Sequence, residues 1–141
     1  MKEIVIRITS EIKRLGEDPT LIDFTTEGKY YNRNGADYLV YQESEISGMA
    51  GAKTSLKFKD GIVTMKRIGA GGADMVFRKD HRHSTYYRTP YGVFDLEMRT
   101  KMIENQLVFD NATAKGTLEI KYDLVIKGLS ESKNYLKIEI L

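Results

Sequence analysis

The stretch Leu118-Glu119-Ile120-Lys121-Tyr122-Asp123-Leu124-Val125-Ile126 decides the fold, because apolar side chains recur at every second position. A strand turns successive side chains to opposite faces, so this period buries one face and leaves Glu119, Lys121 and Asp123 to water. The pattern spreads outward from there. Leu136, Ile138 and Ile140 alternate with Lys137 and Glu139, and Phe94, Leu96 and Met98 alternate with Asp95, Glu97 and Arg99. At the start, Ile4, Ile6, Ile8 and Ile12 alternate with Arg7, Thr9, Glu11 and Lys13. Helical i, i+3, i+4 spacing is not sustained for more than about two turns anywhere.

Between the runs lie reversals. Asn34-Gly35 and Asp60-Gly61 are hairpin signals, because these residues accept positive φ. Gly16-Glu17-Asp18-Pro19, Gly69-Ala70-Gly71-Gly72 and Pro90-Tyr91-Gly92 turn the chain elsewhere. Further strands are expected over 20–31, 38–44, 53–59, 62–68, 73–78, 83–89 and 107–109. About ten short strands with turns roughly 8–12 residues apart describe an antiparallel sandwich or barrel. The lack of crossover helices argues against a parallel sheet. Consecutive hairpins favour an up-and-down meander, which closes as a barrel because closure removes exposed edges. Only 2 Pro, which interrupt a ladder, and 12 Gly, which serve turns and bends, agree with that reading. The expectation is one all-β domain over residues 1–141.

Composition narrows the chemistry. The 22 basic and 20 acidic residues give a net charge of +2, so no strong field steers the chain toward nucleic acid or an anionic membrane. The absence of cysteine excludes disulfides, thiolate metal sites and cysteine nucleophiles, and it fits a reducing compartment such as the cytoplasm. Met1–Arg7 holds no apolar signal region, and no apolar run nears the about 18 residues of a membrane span.

Particular residues carry a family likeness. Glu27-Gly28-Lys29-Tyr30-Tyr31, Asn34-Gly35, Tyr38, Tyr41, Gly51-Ala52-Lys53-Thr54 and Met75-Val76-Phe77 resemble the YwiB-like family of small bacterial proteins. So do Arg99-Thr100, Leu118-Glu119-Ile120-Lys121-Tyr122 and, most specifically, Tyr86-Tyr87-Arg88-Thr89-Pro90-Tyr91-Gly92. The resemblance implies a calycin-like β-barrel, similar in architecture to lipocalins, in a family of unknown function.

Sharper motifs fail on spacing. Gly48-Met49-Ala50-Gly51-Ala52-Lys53-Thr54 has too short a glycine interval for a phosphate loop, and Ala52 separates Gly51 from Lys53. In Gly69–Asp74 the third glycine of a dinucleotide loop is replaced by Asp74. His81 and His83 share a face if extended, yet Asp80 would face the other way and the neighbouring Arg78, Lys79 and Arg82 repel a cation. Asn111-Ala112-Thr113 matches a glycosylation sequon without an export signal beside it. No metal or cofactor is expected.

The tyrosines point to a site. Seven of the nine fall between residues 30 and 91. The pairs Tyr30-Tyr31 and Tyr86-Tyr87 each send one ring to each face of a strand, and a ring turned inward brings a hydroxyl that needs a partner. Glu43, Lys53, Arg78 and Arg88 lie on mixed rows whose facing stays open. The candidate ligand-binding residues are Tyr30, Tyr41, Lys53, Arg78, Tyr87, Arg88 and Tyr91. They suit non-catalytic binding of a small, partly apolar and anionic molecule in the barrel. The alternative is a protein- or RNA-interaction module using an exposed Tyr/Arg face of the sheet. Enzymatic use of a buried Tyr, Glu43 or a histidine as acid or base has no spacing to favour it.

Overall fold

In the computed structural model, which describes residues 1–69, 73–110 and 113–141, the alternating segments become antiparallel strands. In chain order these are β1 (Lys2–Arg14), β2 (Thr20–Arg33), β3 (Ala36–Gln42), β4 (Lys53–Lys59), β5 (Ile62–Ile68) and β6 (Met75–Phe77). They continue as β7 (Arg82–Thr89), β8 (Gly92–Asn105), β9 (Val108–Phe109), β10 (Ala114–Ile126) and β11 (Ser130–Ile140). Residues 70–72 of the glycine-rich turn, and Asn111 and Ala112 of the sequon, lie outside the described residues.

The neighbour order β6-β5-β4-β3-β2-β1-β11-β10-β8-β7 is a meander, with β9 attached to β10. It is nearly closed. The first and last strands pair through Ile6↔Ile140 and Ile8↔Ile138, so the two chain termini meet in the wall. Where the ends of the path approach, the Arg78 amide just after β6 donates to the Thr100 hydroxyl oxygen of β8 at 3.4 Å.

Inward-facing Ile6, Leu39, Leu56, Phe77, Leu118, Ile120 and Ile138 are fully buried and form a continuous core. The turns behave as their residues dictate. Asn34 and Gly35 take φ 52° and 77°, and Asp60 and Gly61 take 53° and 76°, the paired positive values of a two-residue hairpin. β8 runs on past the alternating segment to Asn105, because β10 holds it beyond an irregularity between Lys121 and Tyr122. After β3, Ser44 caps a single 3-10 turn, Glu45–Ser47, by accepting from the Ile46 amide at 3.1 Å. Among the described residues no helix is long and apolar enough to cross a membrane.

Candidate functional site

One row of cross-strand neighbours brings the polar groups of the interior together. Ile4 pairs with Gly28, Gly28 with Tyr41, Tyr41 with Thr54, and Thr54 with Arg67, one residue from each of β1 to β5. Parity makes the row face inward. Val63 and Met65 are buried, so Arg67, two residues further on β5, points to the same side. Gly28 keeps the row close: a Cβ there would stand 2.8 Å from the Val40 carbonyl oxygen and 2.9 Å from Ile6 Cδ1.

Glu43, two residues beyond Tyr41, enters the same cluster. The Thr54 hydroxyl donates to its Oε1 at 2.5 Å and the Ser47 hydroxyl to its Oε2 at 2.8 Å. The 3-10 turn therefore serves the site, because it delivers Ser47 to the carboxylate. Arg67 Nε stands 3.9 Å from Glu43 Oε1, with the arginine side chain 26% and the glutamate side chain 2% exposed. That Nε is buried and has no hydrogen-bond partner among the described residues.

Two tyrosines complete the setting. Tyr41 is buried, and loss of hydration, then the Glu43 charge, push its phenol well above the ordinary value, with Arg67 acting in the opposite sense. Tyr122 comes from β10 and is raised by burial, again against the influence of Arg67. Its ring meets Phe77 edge-on at 4.9 Å. The result is a buried carboxylate, a guanidinium with an unused donor and two neutral phenols, walled by aromatic surface.

Tyr30 belongs to a different group. Its hydroxyl donates to Asp37 Oδ1 at 2.7 Å, and Asn32 Nδ2 donates to the same oxygen at 3.0 Å, across the Asn34-Gly35 hairpin. Its ring stacks on Phe109 at 5.0 Å, and Phe109 also contacts Phe58 at 5.2 Å. Burial first, and Asp37 second, push the Tyr30 phenol up to about 12.

The seven residues singled out from the sequence thus do not converge. Tyr30 and Tyr41 face inward in separate hydrogen-bonding groups, and Tyr87 is half-buried on the inner side of β7. Lys53, Arg78 and Arg88 are exposed, and Tyr91 is 94% exposed at the β7–β8 turn. Lys53 lines an open cleft of about 530 Å³ together with Val5, Glu27, Lys29 and Val40. The residues the sequence reading passed over are Thr54, Arg67 and Tyr122. The signal was parity: Val63-x-Met65-x-Arg67 and Ile120-x-Tyr122 each continue an apolar row.

Comparison with known proteins agrees with this architecture. The chain matches the family described as Domain of unknown function (DUF1934) over residues 6–138. It is 31% identical over 120 residues to the Bacillus subtilis (strain 168) protein named Uncharacterized beta-barrel protein YwiB, covering 83% of this chain and 80% of that protein. A crystal structure of the ywiB protein from Bacillus subtilis superposes with a TM-score of 0.75 at 26% identity, over 99% of this chain and 92% of that one.

Proposed function

We propose a ligand-binding role for this chain, which belongs to the DUF1934 family. The barrel holds a small, partly apolar organic anion, with Arg67 as its counter-charge and without chemistry performed on it. The observation that carries this reading is the unused Nε–H of Arg67. A buried donor left without an acceptor costs about 1–3 kcal/mol, a cost that an anionic oxygen placed against it would remove. Glu43 does not fill that role: its nearer oxygen, which accepts from Thr54, stays 3.9 Å from Nε, beyond hydrogen-bond distance. The neighbouring rings of Tyr122 and Phe77 suit the apolar part of such a ligand.

The test is thermal stabilisation by benzoate, octanoate and inorganic phosphate, each titrated against the native protein and Arg67→Met. A ligand at about 100 times its Kd adds about 2.7 kcal/mol to the folded state, a clear rise in Tm. The carboxylates are expected to stabilise the native chain more than phosphate does, and Arg67→Met to lose the effect. Absence of any rise, or an equal rise in Arg67→Met, overturns the reading.

A further inference from the structure

β7 ends the sheet. It pairs with β8 from Arg82↔Arg99 to Thr89↔Gly92, and among the described residues no strand pairs with its other side. Burial records the open edge: inward-facing His83, Thr85, Tyr87 and Thr89 are only half-buried, whereas Leu96 and Met98 on β8 are each 1% exposed. The other border of the seam is also short. β6 pairs only with Val63 to Met65 of β5, so Lys66–Ile68 have no strand beside them on that edge among the described residues.

An unpaired strand of 8 residues without proline offers a row of backbone donors and acceptors to any extended chain. Its charges select the occupant. Arg82 and Arg88 face outward near its two ends, with Ser84 and Tyr86 between them, and β7 contains no acidic residue. The preceding turn adds Arg78 and Lys79 against Asp80 alone. Asp95 and Glu97 lie one strand further back, opposite Tyr86 and Ser84. Glu97 pairs with Arg82 at 3.1 Å, but their side chains are 48% and 64% exposed, so the pair is weak and Arg82 stays open to a closer anion.

A second copy of this chain fits poorly. Antiparallel pairing centred on Thr85 sets Arg82 opposite Arg88 of the second copy at both ends, and like charges directly opposed weaken a strand pair. A one-residue slip would turn the inward row of one strand toward the outward row of the other.

We infer that the free edge of β7 docks an extended acidic segment of another protein. The segment adds a strand to the sheet, places carboxylates opposite Arg82 and Arg88, and turns its apolar residues inward against Tyr87. This edge is independent of the Arg67 cluster, and binding there requires no ligand in the barrel.

The test uses the full chain and three labelled peptides of the length of β7, 8 residues. One alternates Val with Glu, one alternates Val with Lys, and one is the acidic peptide N-methylated at alternate backbone nitrogens. By fluorescence anisotropy the acidic peptide is expected to bind at least roughly tenfold more tightly than the basic one. Methylation should abolish binding, since it removes the main-chain donors. Arg82→Glu/Arg88→Glu, which alters exposed side chains only, should reverse the charge preference, and amide exchange should slow along Arg82–Thr89 when the acidic peptide is bound. Failure of the acidic peptide to bind, equal binding of its methylated form, or indifference to peptide charge overturns the proposal. So does a mixed-sequence single-stranded RNA that displaces the peptide at lower concentration, or a solution dimer whose β7 amides are protected without peptide.

Discussion

Gly28 and Gly116 stand where any side chain would strike the backbone of a neighbour. Gly28 is extended, and an added Cβ meets the Val40 oxygen at 2.8 Å, so Gly28→Ala is expected to cost about 1–3 kcal/mol in urea unfolding, the usual range for overpacking. Gly116→Ala should cost more, because its φ is +106° and its Cβ would fall 2.2 Å from the Gln106 oxygen. An equal or smaller loss for Gly116→Ala would count against this ranking. Tyr30 predicts a pH effect. Its phenol is held up to about 12, above the ordinary value of 10.0, so the folded state favours the neutral form. That stabilisation is complete below about pH 10 and is lost as pH rises through about 12. Tyr135, also held up to about 12 by burial and then by its hydrogen bond to Glu119, contributes with the same sign. Thermal melts across this alkaline window should fall steeply for the native chain and less steeply for Tyr30→Phe; identical slopes would refute the assignment. Residues such as Tyr30 and Tyr31 were legible because adjacent positions on a strand must face opposite ways. Arg67 was not, because a charged residue at the end of an apolar row reads as solvent-facing until its strand's inner face is known.

At the scale of elements, two strands joined by a tight local turn signal were read to their boundaries. The segments 53–59 and 62–68 are β4 and β5 as expected, because Asp60-Gly61 fixes the reversal between them. Strand ends set by tertiary partners were less legible. Nothing local to residues 100–105 announces that β10 will hold β8 there, and the expected strand at 73–78 shortens to Met75–Phe77, the residues that find partners on β5. The Glu45–Ser47 turn was missed because a Ser cap closing on a Ser three residues later lacks the Glu or Gln usual in that motif. β9 is short, yet it carries Phe109 to the contact between Tyr30 and Phe58. Phe109→Ala is therefore expected to destabilise by about 2 kcal/mol, less than the ~3–5 of a fully buried phenylalanine. Tyr30 should then titrate lower as water reaches it. A loss below about 0.5 kcal/mol, the range of an ordinary surface change, would mean that β9 is only laid against the barrel.

For the whole molecule, closure depends on contacts between the ends of the chain. β11 lies between β1 and β10 and contributes Leu136 and Ile138 to the core, so the wall is incomplete until the last residues are in place. The sequence pattern made a meander legible, but pairing of the first with the last strand is a closure condition that no local signal expresses. It has a direct consequence. The Leu141 amide donates to the Val5 carbonyl at 2.8 Å, and Met1 stands four residues before Val5, so the termini are about 13 Å apart at most along an extended strand. A linker of about four to six Gly and Ser residues spans that distance. The chain can then be reopened at Lys79-Asp80, which is exposed between β6 and β7, the two ends of the sheet path, which no ladder joins among the described residues. This circular permutant keeps every strand pair and turns the β1–β11 pairing from the most distant contact in the sequence into a hairpin. It should fold with a Tm within several degrees of the native chain and refold faster, because loop closure over the whole chain is no longer needed. Deletion of residues 130–141 should instead leave the chain unfolded, since β1 and β10 would both lose a partner. A permutant that folds no faster than the native chain would show that β1 and β11 meet after the rate-limiting step, and that the barrel closes by assembling its middle strands first.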